Sequence, residues 1–248
     1  MPEISSPTTD PIVIAHRGAS GYEPENTLRS FEMAIAQGAQ MIELDLHETL
    51  DGHVVVIHDD DLSRTTDRPG RISKKTLGEV RKADAGKGER VPTLVETIEL
   101  ARGRVELYLE IKDPGAGAET VRTVREMGFQ KDALLASFDL KLMRQLREQI
   151  DDIRLGLIVG VPTLNPFSLS RESIPWTLSR RLNFEVVSIE TVLCQPMLVD
   201  RMRREGRKLF VWTANDERTF RKIVARDVDG IVTNYPDRLV KFLGSRKE

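Results

Sequence analysis

The chain has 248 residues, 40% of them hydrophobic and 31% charged, which fits a water-soluble globular protein of one large domain or two small ones. A formal net charge of −2 supplies no general attraction to nucleic acid or to an anionic membrane, and no apolar run is long enough to span a bilayer. A single cysteine, Cys194, excludes an internal disulfide framework; with an N-terminal MPEISSPTTD that lacks a basic and apolar leader, it sets the expectation of a cytoplasmic protein without a membrane anchor.

Short runs rich in Ile, Val and Leu alternate with stretches of helical spacing along almost the whole chain. The first predicted strand, Ile12–Ala15, ends in His16-Arg17-Gly18. Pro24-Glu25-Asn26-Thr27 then opens a helix over Thr27–Gln37, with Asn26 or Thr27 suited to cap it. The second strand, Met41–Leu46, carries Glu43 and Asp45 on one side, because side chains two apart on a strand share a face. Asp51-Gly52 turns the chain sharply into Val54–Ile57. That arm must run antiparallel to the second strand, since a parallel pair needs a crossover of roughly a dozen residues. It brings His58-Asp59 back towards the same carboxylates. Residues 59–104 hold few strand signals, with Gly70, Gly78, Gly86 and Gly88 and many charges; within them Thr93–Arg102 has helical spacing. Strands then follow at Val105–Ile111, Ala133–Ser137, Ile153–Val159, Glu185–Ile189, Lys208–Trp212 and Gly230–Thr233. Helices are predicted over Glu119–Met127, Leu140–Gln149, Gln195–Arg204, Glu217–Ala225 and Asp237–Phe242.

Setting the hairpin arm aside leaves eight strands with no linker-like boundary among them. The prediction is a closed (β/α)8 TIM barrel, one catalytic domain over residues 1–248, with a doubly wound open sheet as the alternative. The hairpin and the excursion at 59–104 would stand over the C-terminal mouth, between barrel strands two and three.

All four histidines fall within the first 58 residues, among carboxylates at regular spacings. His16 and His58 end apolar runs, and imidazoles with near-neutral pKa at strand ends suit proton transfer. Glu43, Asp45 and, on the next barrel strand, Glu110 would converge at one rim and repel one another unless protonated or neutralised. An all-oxygen set favours a hard ion, Mg²⁺ or Ca²⁺, while Arg17 and Lys112 offer ion pairing as the other solution. Lys112 points into the barrel with Glu110 and must meet an anion there, either Glu110 itself or a substrate phosphate. Trp212, in FVWTAN, either walls the pocket or sits in the core. His47 reads as a structural or rim residue and His53 as a solvated turn residue. No Walker-type or Rossmann glycine motif supports a nucleotide cofactor.

In this order along the chain, HRG (16–18), PENT (24–27), ELD (43–45), HD (58–59), PTL (92–94), EIK (110–112), SF (137–138), WTAN (212–215) and DGIVTNYP (229–236) together resemble the glycerophosphodiester phosphodiesterases, from Ile12 to Pro236. The resemblance implies a TIM-barrel enzyme that cleaves glycerophosphodiesters to glycerol 3-phosphate and an alcohol with a divalent metal. By motif, Glu43, Asp45 and Glu110 would bind the metal and His16 and His58 would be the acid–base pair. Arg17 and Lys112 would contact the phosphate, and Trp212 would line the pocket. Asn234 departs from the pattern, since relatives often carry aspartate there.

The expected substrate is a small deacylated diester such as glycerophosphocholine, because neither the charged excursion nor the rim segments supply an obvious acyl channel. The alternatives are a phospholipase-D-like lysophospholipid phosphodiesterase and a sugar-phosphate-binding barrel. No nucleic-acid partner is expected.

Overall fold

Alternation of side chains along short strands sets the architecture. In the computed structural model, which describes residues 10–161 and 183–246, the elements in chain order are β1 (Ile12–His16), α1 (Leu28–Ala36), β2 (Met41–Glu48), β3 (Val54–Val56), α2 (Leu77–Val80), α3 (Leu94–Ala101), β4 (Glu106–Ile111), α4 (Ala116–Glu126), β5 (Ala133–Ser137), α5 (Leu140–Gln149), β6 (Arg154–Val159), β7 (Val186–Glu190), α6 (Pro196–Arg204), β8 (Lys208–Trp212), α7 (Glu217–Val224), β9 (Gly230–Thr233) and α8 (Pro236–Gly244). Most of MPEISSPTTD, read above for a leader, lies outside the described residues. Eight parallel strands run β1-β2-β4-β5-β6-β7-β8-β9, and β9 pairs back to β1, closing a TIM barrel. The odd strand, β3, pairs antiparallel with β2, with Leu46 opposite Val56 and Glu48 opposite Val54. Pairing with this arm extends β2 two residues beyond the predicted end at Leu46.

Each strand sends one set of side chains to the helices and the other to the barrel axis. Towards the helices lie Val13, Ala15, Ile42, Leu44, Leu107 and Leu109, packed with Phe31, Ile98 and Leu239 in the main core. Towards the axis lie Ile14, Met41, Tyr108, Leu134, Ile158, Phe210 and Val232, a second cluster that plugs the barrel. The same inward parity continues towards the C-terminal ends of the strands. Above Ile14 stands His16; above Met41, Glu43 and Asp45; above Tyr108, Glu110 and Lys112; above Phe210, Trp212.

The helix starts follow from capping chemistry. Thr27 accepts a hydrogen bond from the Ser30 amide and Thr93 from the Glu96 amide, while Pro196 and Pro236 occupy the first turns of α6 and α8. Between β3 and α3 the chain forms short helical turns around a satellite cluster of Val55, Ile57, Leu62, Ile72, Val80 and Val91. That cluster ends at Val91; α3 packs against α1, α4 and β4 and completes the barrel's helix layer.

Candidate active site

The inward parity gathers the candidate residues around one cavity of about 250 Å³ at the C-terminal mouth, lined among others by His16, Arg17, Glu43, His58, Glu110 and Lys112. Register fixes the carboxylates: His16 lies opposite Glu43 across β1–β2, and Asp45 opposite Glu110 across β2–β4. Among the described residues, Glu43, Asp45 and Glu110 are the one group of three carboxylate, imidazole or thiol side chains close enough to share a cation, with ligand oxygens within 4.8 Å of one another. All three are buried.

Burial and mutual repulsion have opposite outcomes within the trio. Burial, then the charges of Asp45 and Glu110, push the Glu43 carboxyl well above its ordinary range. Burial and Asp45 push Glu110 up to about 7. Burial also pushes Asp45 up, but Lys112 and Arg17 outweigh it and hold this carboxyl below its usual range. Lys112 Nζ lies 2.5 Å from Glu110 Oε1 and 3.2 Å from Asp45 Oδ1, and Arg17 Nε lies 3.1 Å from Asp45 Oδ2. Even so, Asp45 Oδ1 and Glu110 Oε1 receive no well-directed hydrogen bond, so the lysine balances charge without saturating the oxygens.

The two histidines flank the trio and are held differently. His16 donates from Nδ1 to Asn234 Oδ1 at 2.7 Å, which leaves Nε2 towards the cavity, 3.9 Å from Glu43. Burial, reinforced by the Arg17 charge, lowers the His16 pKa to about 4. His58 donates from Nδ1 to Asp59 at 2.5 Å. Burial lowers its pKa as well, against the opposing pull of Asp45 and Asp59. His47 is buried and donates from Nε2 to the His58 carbonyl at 3.0 Å, so it supports the hairpin arm; His53 is exposed at the turn.

Arg17 has a left-handed backbone, φ 56°, pinned by hydrogen bonds from its amide to the Glu43 carbonyl and the Glu43 carboxylate. Gly18 follows, also with positive φ, and packs so closely on Ser30 that a Cβ there would collide with it. Thr27 is the cap of α1. Asn26, also left-handed, instead donates to Asp45 Oδ2 at 2.8 Å and accepts from the Asp45 amide. Sequence reasoning missed this support because Asn-Thr before a helix looks the same whether Asn caps or reaches away. It also assigned no role to Glu25, Asp59, Arg64, Phe138 or Asn234. Positions 25, 59, 138 and 234 lie within the quoted motifs; Arg64 does not.

Trp212 lines the cavity opposite the carboxylates and meets Phe138 edge-to-face, with ring centroids 5.8 Å apart. Cys194 is buried outside the cavity lining, and burial raises its thiol pKa, as expected of a structural cysteine.

The family model described as the glycerophosphoryl diester phosphodiesterase family matches residues 16–238. The chain belongs to that family. A glycerophosphodiester phosphodiesterase from Caldanaerobacter subterraneus subsp. tengcongensis is 33% identical over 245 residues, covering 94% of this chain and 97% of the relative. The solved glycerophosphodiester phosphodiesterase of Agrobacterium tumefaciens superposes with a TM-score of 0.81 at 29% identity, covering 93% and 99% of the two chains. A phosphodiesterase of Oleispira antarctica, solved with the product sn-glycerol-3-phosphate, superposes with a TM-score of 0.81 at 31% identity, covering 95% and 97%. Membership in this family, across nearly the full barrel, makes the chain a phosphoric diester hydrolase of the glycerophosphodiester phosphodiesterase type.

Proposed function

We propose that this phosphodiesterase hydrolyses small, water-soluble glycerophosphodiesters to glycerol 3-phosphate and an alcohol, using a divalent cation and the histidine pair His16 and His58. The observation that carries the reading is the buried carboxylate trio, within 4.8 Å, set beside both imidazoles and both cations in one cavity. Three buried carboxylates, two of them with an oxygen that lacks a hydrogen-bond partner, fit a hard ion, Mg²⁺ or Ca²⁺, held by Glu43, Asp45 and Glu110. When bound, such an ion would supply Lewis-acid stabilisation of phosphoryl charge and reverse the local negative field that would repel an anionic diester.

The chain's own groups account for the rest. Arg17 and Lys112 line the cavity and are held by carboxylates, Asp45 for both and Glu110 for Lys112, which would keep their charges in place for the phosphoryl oxygens. Both imidazoles spend Nδ1 on an acceptor behind them, Asn234 or Asp59, and keep Nε2 for exchange with the reacting oxygens. One takes the proton of the nucleophile, a glycerol hydroxyl or water, and the other returns a proton to the leaving alcohol. Trp212 and Phe138 wall the side where the leaving group would lie, and the facing side carries His16, Arg17, Glu43, His58, Glu110 and Lys112, which favours a small, deacylated diester.

Turnover of glycerophosphocholine, assayed with Mg²⁺ or Ca²⁺ and after exhaustive chelation, tests the reading, alongside the corresponding lysophospholipid below micelle formation. Metal-dependent release of glycerol 3-phosphate with higher kcat/KM for glycerophosphocholine is expected. Full activity in chelator would overturn the metal requirement, and a clear preference for the lysophospholipid would replace the soluble diester with a lipid.

A further inference from the structure

Arg64 closes the short helical turn at Leu62–Arg64, whose Leu62 is wholly buried in the satellite cluster between β3 and α3. Its guanidinium spends all three nitrogens on two carboxylates. Nε and Nη2 reach Asp59 at 2.6 and 3.2 Å, while Nη1 and Nη2 reach Glu25 at 3.2 and 2.7 Å. Each of those carboxylates in turn holds a residue of the cavity. Asp59 Oδ1 accepts from His58 Nδ1, and Glu25 Oε1 accepts from Arg17 Nη1 at 3.0 Å. Neither Arg64 nor its two carboxylates line the cavity.

We propose that Arg64 is a positioning residue: one fork that sets the imidazole of His58 and the guanidinium of Arg17 in fixed relation to each other, and so makes the excursion after β3 part of the site's support. This deepens the reading of His58 and Arg17 given above and rests on it.

An isolated, half-exposed ion pair would be worth little, since solvent screens it and long side chains must be ordered to form it. Here the planar fork engages both oxygens of each partner, and each partner is already tethered to a second group, so the geometry is over-determined. A lysine at this position would be a single point charge and could not grip both carboxylates in pairs. The segment from His58 to Arg64 then forms a closed loop of contacts, anchored by Leu62 at one end and by the β2–β3 pairing at the other.

The test compares Arg64→Ala and Arg64→Lys with Arg68→Ala, an exposed arginine of the same excursion. Three readouts apply: kcat and KM for glycerophosphocholine, rescue by added guanidinium ion, and the imidazole nitrogen NMR signals of His58. The expected result is a kcat lowered ~10–100-fold in Arg64→Ala, the usual loss when an outer support of a site is removed. Arg64→Lys should recover only part of it, guanidinium should restore activity to Arg64→Ala alone, and the His58 signals should lose their fixed tautomer. The thermal midpoint should move by no more than in Arg68→Ala. A kcat within twofold of wild type together with unchanged His58 signals overturns the proposal. A changed His58 spectrum with unchanged kcat would instead confirm the anchoring and overturn the role given to His58. If Arg64→Ala does not fold, Arg64→Lys carries the test through its kcat and the His58 signals.

Discussion

The two halves of the barrel mouth differ in kind. Strands β1, β2 and β4, with the hairpin arm, contribute His16, Arg17, Glu43, His58, Glu110 and Lys112 to the cavity, with Tyr108 beneath them. Strands β5 to β9 and the turns after them contribute Phe138, Ile158, Ser188, Trp212 and Val232. In the first half nearly every charged group is tied to another charged group: Arg17 to Glu25 and Asp45, Lys112 to Asp45 and Glu110, Asp59 to Arg64. In the second half the described walls are apolar apart from Ser188, and the Trp212 Nε1 has no hydrogen-bond partner among the described residues. The two halves divide the labour. A low-dielectric wall opposite a dense charge cluster strengthens each electrostatic interaction across the cavity, so the apolar half serves the charged half while shaping what else can enter.

If that division holds, removing charge on the first side should cost most. Glu43→Gln, Asp45→Asn and Glu110→Gln should each lower kcat/KM at ordinary metal concentration by at least about 10³-fold, or about 4 kcal/mol of transition-state stabilisation. Part of that loss should return at high metal concentration. Equal losses from Phe138→Ala would show that the two halves are not distinct. Next come the imidazoles: His16→Ala and His58→Ala should each lower kcat by about two to four orders of magnitude. His47→Ala, which frees the His58 carbonyl, should cost about tenfold through the position of the arm. His53→Ala, at the exposed turn, should match wild type, and a His53 effect as large as that of His58 would break the assignment of the hairpin.

The same division explains how far the sequence alone could be read. The strands were legible because each is a short aliphatic run, and the parity of His16, Glu43, Asp45, Glu110 and Lys112 against their apolar neighbours already aimed them at one axis. The antiparallel arm was legible from Asp51-Gly52, and Gly52 does adopt positive φ there. What stayed hidden depends on contacts distant in sequence. Arg64 meets Glu25 from 39 residues away, and Asn26 meets Asp45 from 19. Helix α4 begins at Ala116, ahead of the predicted Glu119, because Gly117 looks like a loop residue but gives Leu142 of α5 room to approach. The turns at 62–64 and 72–74 and the short helix α2 owe their stability to the satellite cluster around Val55 rather than to any periodicity of their own.

On the apolar side smaller effects are expected. Trp212→Ala and Phe138→Ala should raise KM for glycerophosphocholine about tenfold, in keeping with ~1–1.5 kcal/mol for an aromatic contact, and leave kcat and metal dependence nearly unchanged. Steady-state kinetics across several head groups would sharpen the point: the loss should vary with the leaving alcohol if this wall touches it, and be uniform if it does not.

The smallest expected effect comes from the one place where the second half reaches across to hold a group of the first. Asn234, just past β9, backs His16 with a neutral amide, whereas Asp59 backs His58 with a carboxylate. The hydrogen bond to the amide oxygen favours the imidazolium, but burial and the Arg17 charge outweigh it and keep His16 down at about 4. Asn234→Asp places a negative charge at the same 2.7 Å contact, which stabilises the protonated ring and must raise its pKa. The sign of the consequence depends on the proton His16 handles. If His16 must be neutral to accept one, its group sets the acid limb of the kcat/KM profile, and that limb moves to higher pH. If His16 must be protonated to donate one, the alkaline limb moves to higher pH instead, and activity near neutrality rises. Either limb shifts upward and only one of them does, so the profile of Asn234→Asp against wild type assigns the role of His16. The same profile measured in Asp59→Asn should move a limb downward through His58, and it should be the opposite limb. Profiles that superimpose for all three proteins would mean that neither imidazole exchanges a proton in the rate-limiting step, and the contrast between the two backings would carry no chemistry.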